Sequence, residues 1–236
     1  MPEEPSEITI TYSFRLPGGE EVVLAPRLRT DTLELVREPP RVLPDWAALT
    51  FRQCTNCPLS PARNPLCPVA EVLSVIVETF GDRLSFEEVD LEVATTDRTC
   101  HLHTTMQDAL HSLMGIYMAA SACPHMAPLR PMLTIHLPLS SPRETAWRSI
   151  SMYLIAQYLR VRQGLEPDWK CTGLSAIYEQ IHAVNMGLSE RLAAVSSRDA
   201  GLNSLVRLDL FTVLVPRVLD SRLEEFRSVF TPYLEG

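Results

Sequence analysis

The sequence predicts an α+β protein with a small N-terminal antiparallel sheet, a cysteine-bearing loop and a C-terminal helical bundle. Three observations predict this class. Apolar and polar residues alternate over residues 8–16, which is typical of a half-buried strand. A proline-dense stretch at 39–68 interrupts regular structure. From residue 104 onward, the apolar residues recur with the 3.6-residue period of amphipathic helices.

The length and the composition indicate a globular protein. The 236 residues are enough for one large domain or two small ones. We expect a β-rich segment with the cysteine loop at 1–103 and an α-helical bundle at 104–236, folding together as one cooperative unit. The net charge of −8 disfavours nucleic acid as a partner. An acidic N-terminus and the lack of a long apolar run predict a cytoplasmic protein without membrane association.

The N-terminal elements follow from local signals. Pro-Gly-Gly at 17–19 predicts a turn after the first strand, and residues 21–24 and 32–36 are then the next strands of a simple antiparallel meander. Residues 69–80 predict a short helix that ends at Gly81. Residues 89–95 alternate again and predict a further strand.

Capping signals begin the first two helices of the bundle. Thr104 and Gln107 have the spacing of a capping box, and so do Ser141 and Glu144. Gly164 closes the second helix. The predicted apolar stripes are Met106, Leu110, Leu113, Met114 and Tyr117 on the first helix, and Trp147, Ile150, Leu154 and Tyr158 on the second.

Three more helices complete the predicted bundle. The third covers residues 174–195. The fourth begins at Asp199 and runs to about residue 215, where Pro216 stops it, and the fifth covers residues 219–230.

Four cysteines form the strongest candidate for a functional site. Cys54 and Cys57 have the C-x-x-C spacing at which one backbone turn offers both sulfurs to a single metal. Cys67 follows in the same proline-rich loop, and Cys123 is the natural fourth ligand. Because a long irregular loop needs an internal staple to stay ordered, a bound metal explains this combination.

The residues that follow these cysteines bear on the identity of the metal. Cys57, Cys67 and Cys123 each precede a proline, as does the last ligand of the bacterial ferredoxin motif. This favours an iron-sulfur cluster, in particular 4Fe-4S, with a redox-sensing or electron-transfer role toward a protein partner. Four thiolates also suit zinc, which would make the protein a zinc-stabilised interaction module. A third interpretation is that the cysteines are ordinary buried thiols.

A second group of potential ligands lies on a predicted strand end. His101 and His103 are two residues apart and share one face, so that they are able to share a metal. A solvated strand end explains them more simply. Cys100 and His125 are further candidates to replace one of the four thiols.

Three positions outside these groups bear on alternative functions. Asp108 and His111 are one helical turn apart, which suggests a carboxylate–imidazole pair and, as a second alternative, an enzyme with a pocket there. Asn185 interrupts an apolar stripe and therefore either lines a pocket or satisfies a buried neighbour. The sequence has no P-loop, G-x-G-x-x-G, G-x-S-x-G or H-E-x-x-H motif, so the common nucleotide-binding and hydrolytic sites are disfavoured.

Several stretches together resemble a family of uncharacterised bacterial proteins, known only as a domain of unknown function. The resemblance covers roughly residues 50–210 and implies no activity, cofactor or catalytic residue. The stretches that carry it are F-x-x-C-x-x-C-P-L from Phe51, T-M-Q-D from Thr105, S-L-M-G-I-Y-M from Ser112, C-P at Cys123, L-R-P-M from Leu129 and S-M-Y-L from Ser151.

Overall fold

The computed structural model describes residues 6–36 and 41–235 and confirms the α+β class. The strands are β1 (Glu7–Thr9), β2 (Thr11–Arg15), β3 (Glu21–Leu24), β4 (Arg27–Arg29), β5 (Glu88–Ala94) and β6 (Thr99–Thr105). The helices are α1 (Pro68–Phe80), α2 (Met106–Ala120), α3 (Pro142–Arg162), α4 (Thr172–Val195), α5 (Ala200–Asp220), α6 (Glu224–Arg227) and α7 (Thr231–Leu234). Short 3-10 segments lie at Asp45–Ala47, Ala127–Ile135 and Ser228–Phe230.

The strands form two antiparallel sheets rather than the predicted meander. The larger sheet has the order β3-β2-β5-β6, and β1 pairs with β4 in a separate two-stranded sheet. The alternating segment 8–16 is therefore two strands that separate at Ile10. The meander prediction is wrong because β2 pairs along its second edge with β5, with Tyr12 opposite Val93.

The strand predicted at 32–36 is also wrong. The third segment to pair in this region is β4, and the chain turns after it through Leu33, whose φ is +56°. Leu35 keeps only one bridge, to Leu28. Hydrogen bonds from Arg29 to Glu34 and from Val36 to Arg27 flank this bridge, and the Leu35 N–H, which faces away from β4, donates to the carbonyl oxygen of Ala120 at 3.1 Å. The other edge of this segment therefore contacts the end of α2 rather than a further strand.

The long irregular loop before α1 is confirmed over the residues that the structure describes. Residues 39 and 40, the first of the predicted loop, lie outside them. From residue 41 to Cys67 the loop contains the 3-10 turn Asp45–Ala47 and one bridge between Ala48 and Leu66. Helix α1 follows and ends before Gly81, as predicted.

The capping box predicted at Thr104 and Gln107 does not form, and the helix begins one residue later without a side-chain cap. Thr104 still pairs with Val89 in the sheet, so Thr105 is the N-cap of α2. The Thr105 hydroxyl donates to the Asp108 carboxylate at 3.0 Å. The apolar stripe predicted for this helix is confirmed, because all of its members are buried.

Helix α3 begins as predicted but exposes part of its predicted stripe. The capping box is confirmed, with the N–H of Glu144 donating to the Ser141 hydroxyl at 3.2 Å. Ile150 is buried, whereas Trp147 and Tyr158 are 40% and 54% exposed. The prediction for these two aromatic residues is wrong because Ser149 and Gln157 occupy the buried face instead.

Helix α4 matches its prediction, and α5 is longer than predicted. Pro216 lies inside α5, which continues to Asp220. Val215 next to it is fully buried, and α5 packs against α2, α3 and α4. This packing outweighs the lost backbone hydrogen bond. The single fifth helix predicted at 219–230 is wrong, because this range contains the end of α5, the short helix α6 and a 3-10 turn, and α7 follows it. Within residues 6–36 and 41–235, no helix combines the length and apolarity needed to cross a membrane.

Candidate functional site

Local structure positions each of the four predicted cysteine ligands. Cys54 and Cys57 flank a turn in which the N–H of Cys57 donates to the Cys54 carbonyl oxygen at 3.1 Å. Both are half-buried. Cys67 is buried at the N-cap of α1, where its N–H donates to the Ala47 carbonyl oxygen at 2.8 Å. Cys123 is buried just beyond the end of α2.

A hydrogen bond brings the segment of Cys123 onto the C-x-x-C turn. His125 donates from Nε2 to the carbonyl oxygen of Asn56 at 2.8 Å, since a carbonyl oxygen only accepts. Asn56 lies between Cys54 and Cys57, so the two cysteine segments are in direct contact. This hydrogen bond makes His125 a bridge between the two segments.

Helix α4 supports the same turn from the other side. The side-chain amide of Asn56 donates to the backbone carbonyl oxygen of Gln180 at 3.0 Å. The Cys54 thiol lies 3.9 Å from the Val184 carbonyl oxygen. At Gly187 a Cβ would lie 2.8 Å from the Cys54 sulfur, so this glycine makes room for the thiol. The C-x-x-C turn is therefore seated on α4.

The four thiols share one electrostatic environment. Burial raises the pKa of Cys54 to about 11, and the charges of Cys67, Cys57 and Cys123 contribute to the increase. Burial also raises the pKa of Cys123, again with contributions from Cys67 and Cys57. The thiols do not converge on a single point, however. In the described part of the chain, no group of three or more His, Cys, Asp or Glu side chains is placed to hold one metal ion.

Arg191 is a functional candidate that the sequence reasoning missed. It lies on α4 and is fully buried. Its guanidinium donates to the carbonyl oxygens of Trp46, Ala48 and Leu49 at 2.7, 2.8 and 3.0 Å. Over the described residues, Nε has no hydrogen-bond partner and no carboxylate lies within salt-bridge distance. Its positive charge opposes the rise in the pKa of Cys54, and Ala47, between two of its acceptors, accepts the N–H of Cys67, so Arg191 lies beside these two cysteines.

The position of Arg191 in the sequence already indicates a buried charge. It follows Leu188 by three residues and precedes Val195 by four, so it lies on the apolar stripe of the predicted third helix. A charged residue on such a stripe needs a buried partner. The sequence does not reveal that this partner is the cysteine loop, because the loop lies far away along the chain.

The remaining candidate ligands occupy other environments. His103 hydrogen-bonds through Nδ1 to Asp90 at 2.8 Å, and His101 lies 3.4 Å from Glu92, both across β5 and β6 on an exposed face. Cys100 is half-buried on the same strand. These pairs are typical of a solvated strand.

The predicted carboxylate–imidazole pair of Asp108 and His111 does not form. His111 donates from Nδ1 to the backbone carbonyl oxygen of Asp108 at 2.9 Å, while the Asp108 carboxylate pairs with Arg207. His111 instead lines a cavity of about 130 Å³ between α2, α3, α4 and α5. Asn185 lines the same cavity.

Comparison with known proteins identifies the family but no activity. No curated protein and no solved structure matches the chain. The sequence profile of one family matches residues 10–231, a longer stretch than the motifs that suggested the resemblance. The protein therefore belongs to the family described as Domain of unknown function (DUF6901).

Proposed function

We propose that the protein binds a metal–thiolate cofactor through Cys54, Cys57, Cys67 and Cys123, and that this cofactor is a 4Fe-4S cluster. One observation carries the proposal. Thiols from three separate segments lie close enough for their charges to interact, and Cys54 among them also feels the charge of Arg191, a fully buried guanidinium that has no carboxylate partner in the described part of the chain.

Charge balance is the physical argument for an anionic group at this place. A buried cation that is hydrogen-bonded only to carbonyl oxygens is costly unless a negative charge lies nearby. Four thiolates around a metal centre supply that charge. Cys67 at the N-cap of α1 adds a second favourable element, because the positive end of a helix dipole stabilises an anion.

A cluster and a single zinc ion differ in the ligand spacing that they require. A Zn–S distance of about 2.3 Å places four tetrahedral thiolates within about 4 Å of one another. A 4Fe-4S cluster attaches each thiolate to a different iron and so needs ligands that are farther apart. What supports the cluster here is that Cys57, Cys67 and Cys123 each precede a proline, as does the last ligand of the bacterial ferredoxin motif.

The location of the turn supports a redox-sensing or electron-transfer role. Cys54 and Cys57 are half-buried, and Thr55 and Pro58 beside them are exposed. A cluster bound here has one edge near the surface, where a protein partner is able to exchange electrons with it. Solvent exposure and nearby charge are among the factors that set the reduction potential of such clusters.

The first test is the metal content of protein purified without oxygen. We expect about four iron and four sulfide per chain and a broad absorbance near about 400 nm. One zinc per chain in a colourless sample would instead support the zinc-stabilised interaction module. A protein that contains neither iron nor zinc as purified, and that does not bind iron and sulfide on reconstitution, would contradict both proposals.

Two serine substitutions make the test specific to the site. Cys57→Ser should lose most of the iron and sulfide, because it removes one of the four ligands. Cys171→Ser is the matched control, since Cys171 is a buried thiol at the start of α4. It should keep the full content. Equal metal content in both variants, with a native circular dichroism spectrum, would refute the assignment.

A further inference from the structure

A mostly apolar cavity of about 130 Å³ lies within the helical half of the molecule. Helices α2, α3, α4 and α5 and the 3-10 segment Ala127–Ile135 supply its walls. An apolar cavity of about 150 Å³ is known to accommodate benzene. This cavity therefore has room for the apolar body of a molecule of about that size. Its apolar lining includes Leu129, Met132, Leu133, Leu139, Ile181 and Phe211.

One wall of the cavity holds an arginine that forms no salt bridge with the described residues, although Glu144, one helical turn earlier, acts on it through longer-range charge. Arg148 donates from Nη1 to the Ser140 hydroxyl at 3.4 Å and from Nη2 to the Met132 carbonyl oxygen at 3.1 Å. Within the described ranges, its Nε is buried without a hydrogen-bond partner and no carboxylate is close enough to form a salt bridge. A guanidinium in this condition is suited to receive an anion, and its planar fork matches a carboxylate.

The other titratable groups in the cavity wall limit the charge of that anion. Of the described residues that line the cavity, Arg148, His111 and His136 are the basic ones. Burial lowers the pKa of His111, and it lowers the pKa of His136 to about 3. Both imidazoles are therefore neutral near pH 7, and Arg148 alone provides positive charge. A monoanion balances this charge, whereas a dianion would leave a buried charge unpaired.

Two hydrogen-bond acceptors in the cavity wall favour an anionic ligand that also carries a hydrogen-bond donor. Asn185 is 2% exposed and donates from Nδ2 to Asp209 at 3.0 Å, which fixes the orientation of its amide. Its Oδ1 is buried and has no hydrogen-bond partner among residues 6–36 and 41–235. His111 donates from Nδ1 to a backbone carbonyl oxygen, so its Nε2 is an acceptor in the neutral form. A hydroxyl group satisfies either acceptor.

We propose that this cavity binds a small monocarboxylate with an apolar body and a hydroxyl group, the carboxylate pairing with Arg148 and the hydroxyl donating to Asn185 or His111. The site shares none of these residues with the cysteine cluster. Its test is therefore independent of the metal content.

Isothermal titration of the full chain with two hydroxy acids tests the proposal. The probes are 4-hydroxybenzoate and 2-hydroxy-4-methylpentanoate, which represent an aromatic and an aliphatic body. We expect saturable binding of at least one. For an aromatic ligand, 4-hydroxybenzamide lacks the charge and benzoate lacks the hydroxyl, and each should bind about tenfold more weakly. For an aliphatic ligand, 2-hydroxy-4-methylpentanamide and 4-methylpentanoate are the matched analogues. Failure of both hydroxy acids, or equal binding of the uncharged amide, would overturn the proposal.

Substitutions then locate the binding. Arg148→Met should abolish it, whereas Arg162→Met, on an exposed part of the same helix, should leave it unchanged. Gly115→Ala provides a second route if Arg148→Met fails to fold. The added methyl group lies in the cavity wall, 3.5 Å from Leu208, an ordinary contact that the fold accepts. It should weaken binding several-fold. Full affinity in both Arg148→Met and Gly115→Ala would show that the ligand binds elsewhere.

Discussion

Arg191 links the cysteine loop to the helical bundle through one side chain. Its guanidinium reaches three carbonyl oxygens of the loop from its position on α4. It also lies over the Phe51 ring, 5.9 Å from the ring centroid. A buried guanidinium that satisfies this many acceptors cannot be replaced without leaving polar backbone groups unpaired.

Arg191→Met should therefore destabilise the protein strongly. We expect the free energy of unfolding to fall by about 3 kcal/mol, because the buried carbonyl oxygens of Trp46 and Leu49 lose their guanidinium donor, whereas that of Ala48 keeps the N–H of Phe51. Urea unfolding at pH 7, monitored by circular dichroism, measures the change. Arg162→Met is the control, and we expect it to stay within about 0.5 kcal/mol of the wild type. A variant as stable as the control would show that the three hydrogen bonds contribute little.

His136 makes stability dependent on pH through a buried hydrogen bond. Its Nε2 lies 2.6 Å from the Tyr12 hydroxyl, which lies 2.7 Å from the Ser112 hydroxyl. Burial lowers the pKa of His136 to about 3, against about 6.5 in the unfolded chain. Below pH 6.5 the unfolded state binds a proton that the folded state does not bind. The stability contributed by neutral His136 is thus complete above this pH and is lost as the pH falls toward 3.

His136→Gln should remove this pH dependence while keeping an acceptor for the Tyr12 hydroxyl. Between pH 7 and pH 5, we expect the wild type to lose about 2 kcal/mol more unfolding free energy than the variant. Urea titrations of both proteins at the two pH values provide the comparison. Protonation of the other groups is common to both proteins and cancels. An equal loss in both would mean that His136 becomes protonated without unfolding the protein.

At the scale of secondary-structure elements, local signals predicted where α3 begins but placed the end of α5 too early. The capping box of Ser141 and Glu144 uses only neighbouring residues, so the sequence is sufficient to predict it. Pro216 is a strong local stop signal, yet α5 continues through it. The difference arises because the packing of α5 on three other helices is a long-range effect that a local signal does not include.

Ser141→Ala tests how much the capping box stabilises α3. The substitution removes the acceptor for the N–H of Glu144, and we expect it to lower the free energy of unfolding by about 1 kcal/mol. Thermal and urea unfolding measure the loss. Ser151→Ala, inside the same helix, is the control and should change stability by less than about 0.5 kcal/mol, since alanine favours a helix interior. Equal effects would show that the cap contributes nothing specific.

At the scale of the whole molecule, the contacts of the cysteine site cross the boundary between the predicted β-rich segment, 1–103, and the predicted helical bundle, 104–236. The C-x-x-C turn and Cys67 lie before it, whereas His125, Arg191 and Cys123 lie after it. The proposed cluster would connect the two parts through metal–thiolate bonds from both sides. We therefore expect 1–103 and 104–236 to unfold together.

Scanning calorimetry tests this expectation. The metal-loaded protein should show one transition in which the calorimetric and van't Hoff enthalpies agree. Removing the metal should move that transition to lower temperature without splitting it, because a ligand that binds only the folded state stabilises the whole cooperative unit. Cys171→Ser, treated in the same way, should repeat this behaviour. Two separate transitions in the metal-loaded protein would show that the two parts are independent domains.

The sequence by itself determined the features that depend on neighbouring residues. Periodicity located the five long helices α1 to α5 and most strands, the Ser141 capping box began α3, and the C-x-x-C spacing identified the turn of Cys54 and Cys57. Only the tertiary structure decided that β5 pairs with β2, that His125 meets Asn56, and that Arg191 lies beside the cysteines. These contacts join residues far apart in the chain, where packing and charge burial rather than local backbone preference select the partner.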